Sequence, residues 1–107
     1  MFDSNKMDRL ITLQTSTATR SASGQEIVTW SNLATMWAEV VPRSGREYFG
    51  ANQNIAEVDA IFRIRYRDGI RPEMRIQYQQ QTYNIRWVQE LGRREGLELV
   101  GQIIRID

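Results

Sequence analysis

The residues able to do chemistry in this chain are of few kinds. Among its 107 residues there is no cysteine and no histidine, which removes disulfides, thiolate nucleophiles, imidazole general bases and nearly every zinc or transition-metal site. Carboxylates, arginines and aromatic rings remain. A hydrolytic pair drawn from Glu39, Glu47, Glu57, Glu90 and Glu98 would have to face each other across a cleft, and nothing in their spacing brings two of them together. They read as exposed strand and loop acids. The aspartates are scattered and lack the spacing of a calcium loop. The sequence therefore predicts no catalytic residue, no cofactor and no metal.

The basic residues are more pointed. Thirteen arginines stand against one lysine, and the guanidinium fork suits bidentate contacts to carboxylate or phosphate. Arg63, Arg65 and Arg67 recur every second residue, Arg71 and Arg75 follow, and Arg86 lies on a segment that could neighbour them. Two readings stay open: a solvated or subunit-pairing face made by Arg63, Arg65, Arg67, Arg75 and Arg86, or a surface that sees nucleic acid, as on an oligonucleotide-binding barrel. Tyr66, Tyr78, Tyr83 and Trp87 share parity with the apolar residues and so belong to the core, which leaves these arginines without stacking partners. A second cluster follows Pro42: Arg43, Ser44, Gly45, Arg46, Glu47, Tyr48 and Phe49. Arginine and tyrosine anchor interfaces. The ordinary alternative is a surface loop whose Tyr48 and Phe49 fold back onto the body of the protein.

The elements that must carry these groups read as strands. Arg9 to Thr15 alternates and predicts a first strand. Ser16 to Gln25 is small, polar and turn-forming, and predicts a mobile loop. Glu26 to Trp30 and Ala34 to Val41 predict two further strands divided by a turn at Ser31-Asn32, the second closed by Pro42, which cannot donate to a ladder. From Val58 the period of two is sustained, with Ala60, Phe62, Ile64 and Tyr66 inward and Ile61, Arg63, Arg65 and Arg67 outward. Asp68-Gly69 marks a turn, and Met74 to Tyr78 a short strand. After Gln79-Gln80-Gln81 a strand over Thr82 to Leu91 places Tyr83, Ile85 and Trp87 on one face. The last strand, Leu97 to Ile106, changes parity, from Leu97 and Leu99 to Ile104 and Ile106, and predicts a bulge at Gly101.

Residues 43–57 break the pattern. Gly45 and Gly50 and the absence of alternation predict a long loop with at most a short helix carrying Tyr48, Ala51 and Ile55 on one face. The fold class that follows is all-β, a small barrel or sandwich of six to seven strands with one long loop, in a single domain over 1–107.

Composition sets the remaining bounds. With 41% hydrophobic residues a chain of this size buries roughly 65% of its unfolded surface, enough for one modest core. A net charge of +1 supplies no bulk attraction to nucleic acid or to a membrane surface. No apolar run approaches the roughly 18 residues of a membrane span, and the first residues lack a signal-peptide layout, so no membrane partner is expected. With no long apolar stripe left over by the core, the isolated chain is expected to be a monomer.

The order of the segments RLITLQT, EIVTW, LATMWAEVVPRSGREYF, FRIRYRDGI, MRIQY, TYNI and GRREGLEL, over roughly residues 7 to 104, resembles the phage head-tail joining family, also called head-closure or stopper proteins. That resemblance implies a small β-barrel without enzymatic activity. It further implies a ring that adds to the portal-adaptor proteins after packaging, closes the channel on the double-stranded DNA passing through it, and presents the surface on which tail-completion and tail proteins dock. The channel loop of such proteins corresponds by position to Arg43 through Glu57. The location implied is the virion neck, reached from the host cytoplasm during assembly. A tail-completion or terminator protein of the same joint is the neighbouring alternative. Balanced charge suits a channel component, because a strongly basic lumen would hold DNA too tightly. Asp68, where relatives often carry proline, and the glycine-free Gln79-Gln80-Gln81 turn depart from the family pattern and bear on hairpin geometry.

Overall fold

The computed structural model describes residues 6–43, 46–49 and 54–104. Its elements are eight strands: β1 (Arg9–Arg20), β2 (Glu26–Pro42), β3 (Arg46–Phe49), β4 (Asn54–Glu57), β5 (Ala60–Arg65), β6 (Arg75–Tyr78), β7 (Gln81–Leu91) and β8 (Gly96–Ile103). Six of them close into an antiparallel barrel in the order β1-β2-β5-β8-β7-β6, with β6 returning to β1, while β3 and β4 pair only with each other.

Alternation places the core as read. Ile11, Leu13, Phe62, Ile64, Ile76 and Leu99 lie inside the barrel at 1% exposure or less. Phe62 is central, with the Tyr83 and Tyr78 rings edge-on to it at 5.0 and 5.9 Å. Gly101 makes this possible, since a Cβ there would stand 2.9 Å from the Phe62 ring and 3.3 Å from Tyr83. A smaller cluster of Val58, Ile61 and Val100, with Val41 and Trp87 against it, packs on the outer side of the same wall. Ile61 faces out, as its parity demands, and is nonetheless covered.

Several boundaries differ from the sequence-based expectation. The predicted loop from Ser16 is strand as far as Arg20, and the real turn is confined to residues 21–25, where Gly24 takes a φ of +85°. Small polar residues disguised the strand, but Thr15, Thr17 and Thr19 are β-branched and find partners on β2. Ser31-Asn32 is not a turn: β2 runs through it, and the ladder absorbs one extra residue, Leu33, between Gln14↔Asn32 and Leu13↔Ala34. The irregularity expected at Gly101 does fall opposite it, yet the extra residue is Arg86 on β7, between Ile85↔Gly101 and Trp87↔Val100. Parity on β8 is therefore unbroken, and Ile103 rather than Ile104 packs on the core; Ile106 lies outside the described residues. The slip instead turns Trp87 to the outer cluster and Val88 inward. The Gln79-Gln80 turn closes without glycine by placing both residues at positive φ, 49° and 65°.

Residues 43–57 carry no helix among the described residues; they form the β3–β4 hairpin, paired Arg46↔Glu57, Glu47↔Ala56, Tyr48↔Ile55 and Phe49↔Asn54. Tyr48 and Ile55, two turns apart on the predicted helix, are direct partners across the hairpin. Two glycines in so short a helix cost about 2 kcal/mol relative to alanine, whereas Tyr48, Phe49 and Ile55 favour strand.

Candidate functional site

The β3–β4 hairpin leaves the barrel on a fixed stem. The β2–β5 ladder ends at Pro42↔Ala60. One step further, the Arg43 amide donates to the Asp59 carbonyl at 2.9 Å, and the Asp59 amide donates to the Gly101 carbonyl, also at 2.9 Å. The Asp59 carboxylate accepts from the Ile103 amide at 2.7 Å. Val58, 2% exposed, plugs the base into the outer cluster. A backbone clamp and a buried apolar residue thus hold the root of the excursion, and the hairpin projects from it. Of the loop residues singled out in the sequence, Arg43 is an exposed part of this stem, Arg46, Glu47, Tyr48 and Phe49 are β3, and Ser44 and Gly45 lie outside the described residues.

The five arginines expected to form one face are not brought together. β5 and β6 lie on opposite walls of the barrel, three strands apart in either direction, and β7 does not adjoin β5. Arg63 is committed to a cross-strand triad: its Nε donates to Glu98 at 2.9 Å and its Nη1 to Glu39 at 3.3 Å, from the strands on either side. The Glu98 hydrogen bond is the chief reason that the guanidinium is held above its already high ordinary pKa. Arg75, on the far wall, donates to the Gln14 side chain at 2.8 Å and lies over the Trp30 ring at 4.0 Å. Arg86 is the exposed bulge residue of β7. Arg65 and Arg67 are exposed and border a groove with Trp37.

Sequence reading missed the acids that occupy Arg63 and the role of Trp37. Glu39 and Glu98 were visible only as scattered carboxylates, because their meeting depends on the β2-β5-β8 order. A signal for Trp37 did exist: from Glu26 to Ala38 β2 has one charged residue, Glu26, and no proline, an unusually bare stretch for a strand that ends up at an edge.

Aligned as a whole, residues 2–103 match the phage head completion protein family. The chain belongs to that family. It is thereby one of the structural proteins of the phage head, in a family that is not one of enzymes. No curated protein matches the chain significantly. Among solved structures, a Shigella flexneri 2a protein determined in solution superposes with a TM-score of 0.69 at 24% identity, covering 92% of this chain and 93% of that one. A chain from the native gene transfer agent virion superposes with a TM-score of 0.61 at 18% identity, covering 91% and 94%. At such identities the two neighbours bear on the fold, and they share this head completion protein's fold over nearly its whole length.

Proposed function

We propose that this head completion protein acts at the phage neck, as a ring below the portal and adaptor that closes the DNA channel after packaging and offers the tail its docking surface. Membership of the family over residues 2–103 carries the reading. The virion origin of one structural neighbour is in keeping with it. In this reading the β3–β4 hairpin is the channel element. Its clamped stem at Arg43, Asp59 and Gly101 lets it change position relative to a barrel that does not need to refold. The isolated protein reaches the particle from the host cytoplasm, and DNA is met through the hairpin and the ring lumen rather than through a continuous arginine face.

Electron microscopy of particles lacking the gene tests the reading. Heads that are empty or losing DNA, beside finished but unattached tails, are expected; filled heads carrying normal tails overturn it. Removing residues 45–55 should leave a folded barrel but heads that leak. Normal infectious particles from that deletion would remove the hairpin from the channel while leaving the neck assignment intact.

A further inference from the structure

The ladder between β2 and β5 stops early. Its register pairs Glu39 with Arg63 and runs on to Pro42↔Ala60. Extended by two residues the other way it would pair Trp37 with Arg65, but the ladder does not continue there. Among the described residues, β2 from Glu26 to Ala38 therefore has β1 on one side and no ladder on the other. Past the end of the ladder lies a groove of about 310 Å³ lined by Met7, Met36, Trp37, Arg65, Tyr66 and Arg67. Consecutive strand residues point to opposite faces, so a cavity shared by Met36 and Trp37 follows the strand's edge and not either face.

Three properties of this groove identify what fits it. First, the edge carries no second ladder among the described residues, and none of the usual guards, lysine, proline or an inward charge, occurs in residues 27–38. Second, its lining carries exposed apolar side chains. Trp37 is 58% exposed and its cross-strand partner Leu10 is 52% exposed, adjacent apolar side chains where the sequence suggested no long apolar stripe left over by the core. Third, its rim is cationic. Arg65 and Arg67 form no ion pair among the described residues, and Arg94 stands over the Tyr66 ring at 5.5 Å. Two acids stand near Tyr66: Asp68, which accepts from the Tyr66 hydroxyl at 2.6 Å, and Glu90, whose carboxylate accepts from the Arg94 amide at 3.0 Å; neither forms an ion pair with Arg65 or Arg67 among the described residues.

The geometry points to a peptide-binding edge: the groove accepts an extended segment of a partner protein that adds as a strand alongside β2, sets apolar side chains on Trp37 and Met36, and turns alternate acidic side chains to Arg65 and Arg67. Strand addition supplies affinity through main-chain hydrogen bonds, and alternate side chains supply selectivity. DNA fits less well, since phosphate would gain the arginines but would leave the apolar lining and the backbone edge unused. The inference goes beyond the neck reading and does not depend on the hairpin or on a ring.

Selection of displayed random nine-residue peptides against the purified full chain tests it. Enriched peptides should alternate apolar with acidic residues, and synthetic versions should lose at least 10-fold in affinity against Trp37→Ala and against Arg65→Glu/Arg67→Glu. Those residues lie outside the core, so circular dichroism should show both variants folded. N-methylation of the peptide amides on the edge-facing side should also abolish binding. No enrichment, enrichment without acidic residues, or acidic peptides that bind the variants as tightly as the parent would each overturn the proposal. Binding of a short DNA duplex that the same arginine changes remove, with no peptide bound, would assign the groove to nucleic acid instead.

Discussion

The β1–β2 ribbon and the wall formed by β5 and β8 are made of the same antiparallel pairing, yet they spend their residues differently. On the β5–β8 wall most positions are committed: Phe62, Ile64 and Leu99 are sealed inside, Ile61 and Val100 are covered outside, and Arg63 is gripped by Glu39 and Glu98, with Arg65 left exposed at the end of β5. Beyond Gln14↔Arg75, where β6 is last in register, β1 and β2 pair only with each other for six more positions, to Arg20↔Glu26. At about 3.4 Å per residue that is an arm about 20 Å long, in a molecule 51 Å along its longest axis and 28 Å across. Ile27 and Val28 near its tip are 46% and 51% exposed. A two-stranded ribbon is marginal by itself, so its order is borrowed from the barrel. The wall holds the fold together. The arm and the bare β2 edge are where apolar surface stays exposed.

The sharpest way to break this contrast is to delete one side chain from each region. Phe62→Ala should cost about 3–5 kcal/mol, while Val28→Ala should stay within about 0.5 kcal/mol, both read from urea denaturation. Equal losses would mean that the arm is part of the cooperative core. Gly101→Ala probes the wall from the opposite direction, by overpacking. Its new methyl meets the Phe62 and Tyr83 rings, and a loss of about 1–3 kcal/mol is expected in the same experiment; no loss would show that the rings can retreat.

The ion triad should matter less. Arg63 and its two acids are partly exposed, with side-chain accessibilities of 33% and 21%, so Arg63→Ala should cost about 1 kcal/mol after solvent screening, and the difference should shrink as salt is raised. A salt-independent loss would assign the effect to packing of the arginine stem. The smallest effect concerns alkaline pH. Burial raises the Tyr83 hydroxyl above its ordinary value of 10.0, and the hydrogen bond to Asp68 raises that of Tyr66. A group whose pKa is higher when folded stabilises fully below the unfolded value, and that stability is lost as pH rises through the folded value. Unfolding free energy should therefore fall above about pH 10, and Tyr83→Phe should flatten the fall more than any change on the arm. An unchanged slope in both Tyr83→Phe and Tyr66→Phe would refute the assignment.

The period of two along 60–66 and the turn at Asp68-Gly69 were legible because each depends on neighbours in the chain, and so was the all-β class. The family resemblance was legible from the order of segments such as PRSGREYF and FRIRYRDGI. What could not be read were the features that depend on a partner strand far away in sequence. Thr15, Thr17 and Thr19 are strand because β2 lies beside them, Trp87 faces outward because one residue slips at Arg86, and Tyr48 is in register with Ile55 because a hairpin forms in place of the marginal helix that the sequence suggests.

By itself, then, the amino-acid order determined that the chain would be β, that Phe62 and its alternating companions would be inside, and that thiol and imidazole chemistry is closed to it. Side-chain parity and residue chemistry are local properties, set one residue at a time. Only the tertiary structure decided which residues come together. Barrel closure put Arg63 between two acids, sent Arg75 to the opposite wall, and left Trp37 and Arg65 lining one groove past the end of the β2–β5 ladder. Strand order and register are long-range choices, made by the summed fit of all six strands at once, and no short stretch of sequence contains them.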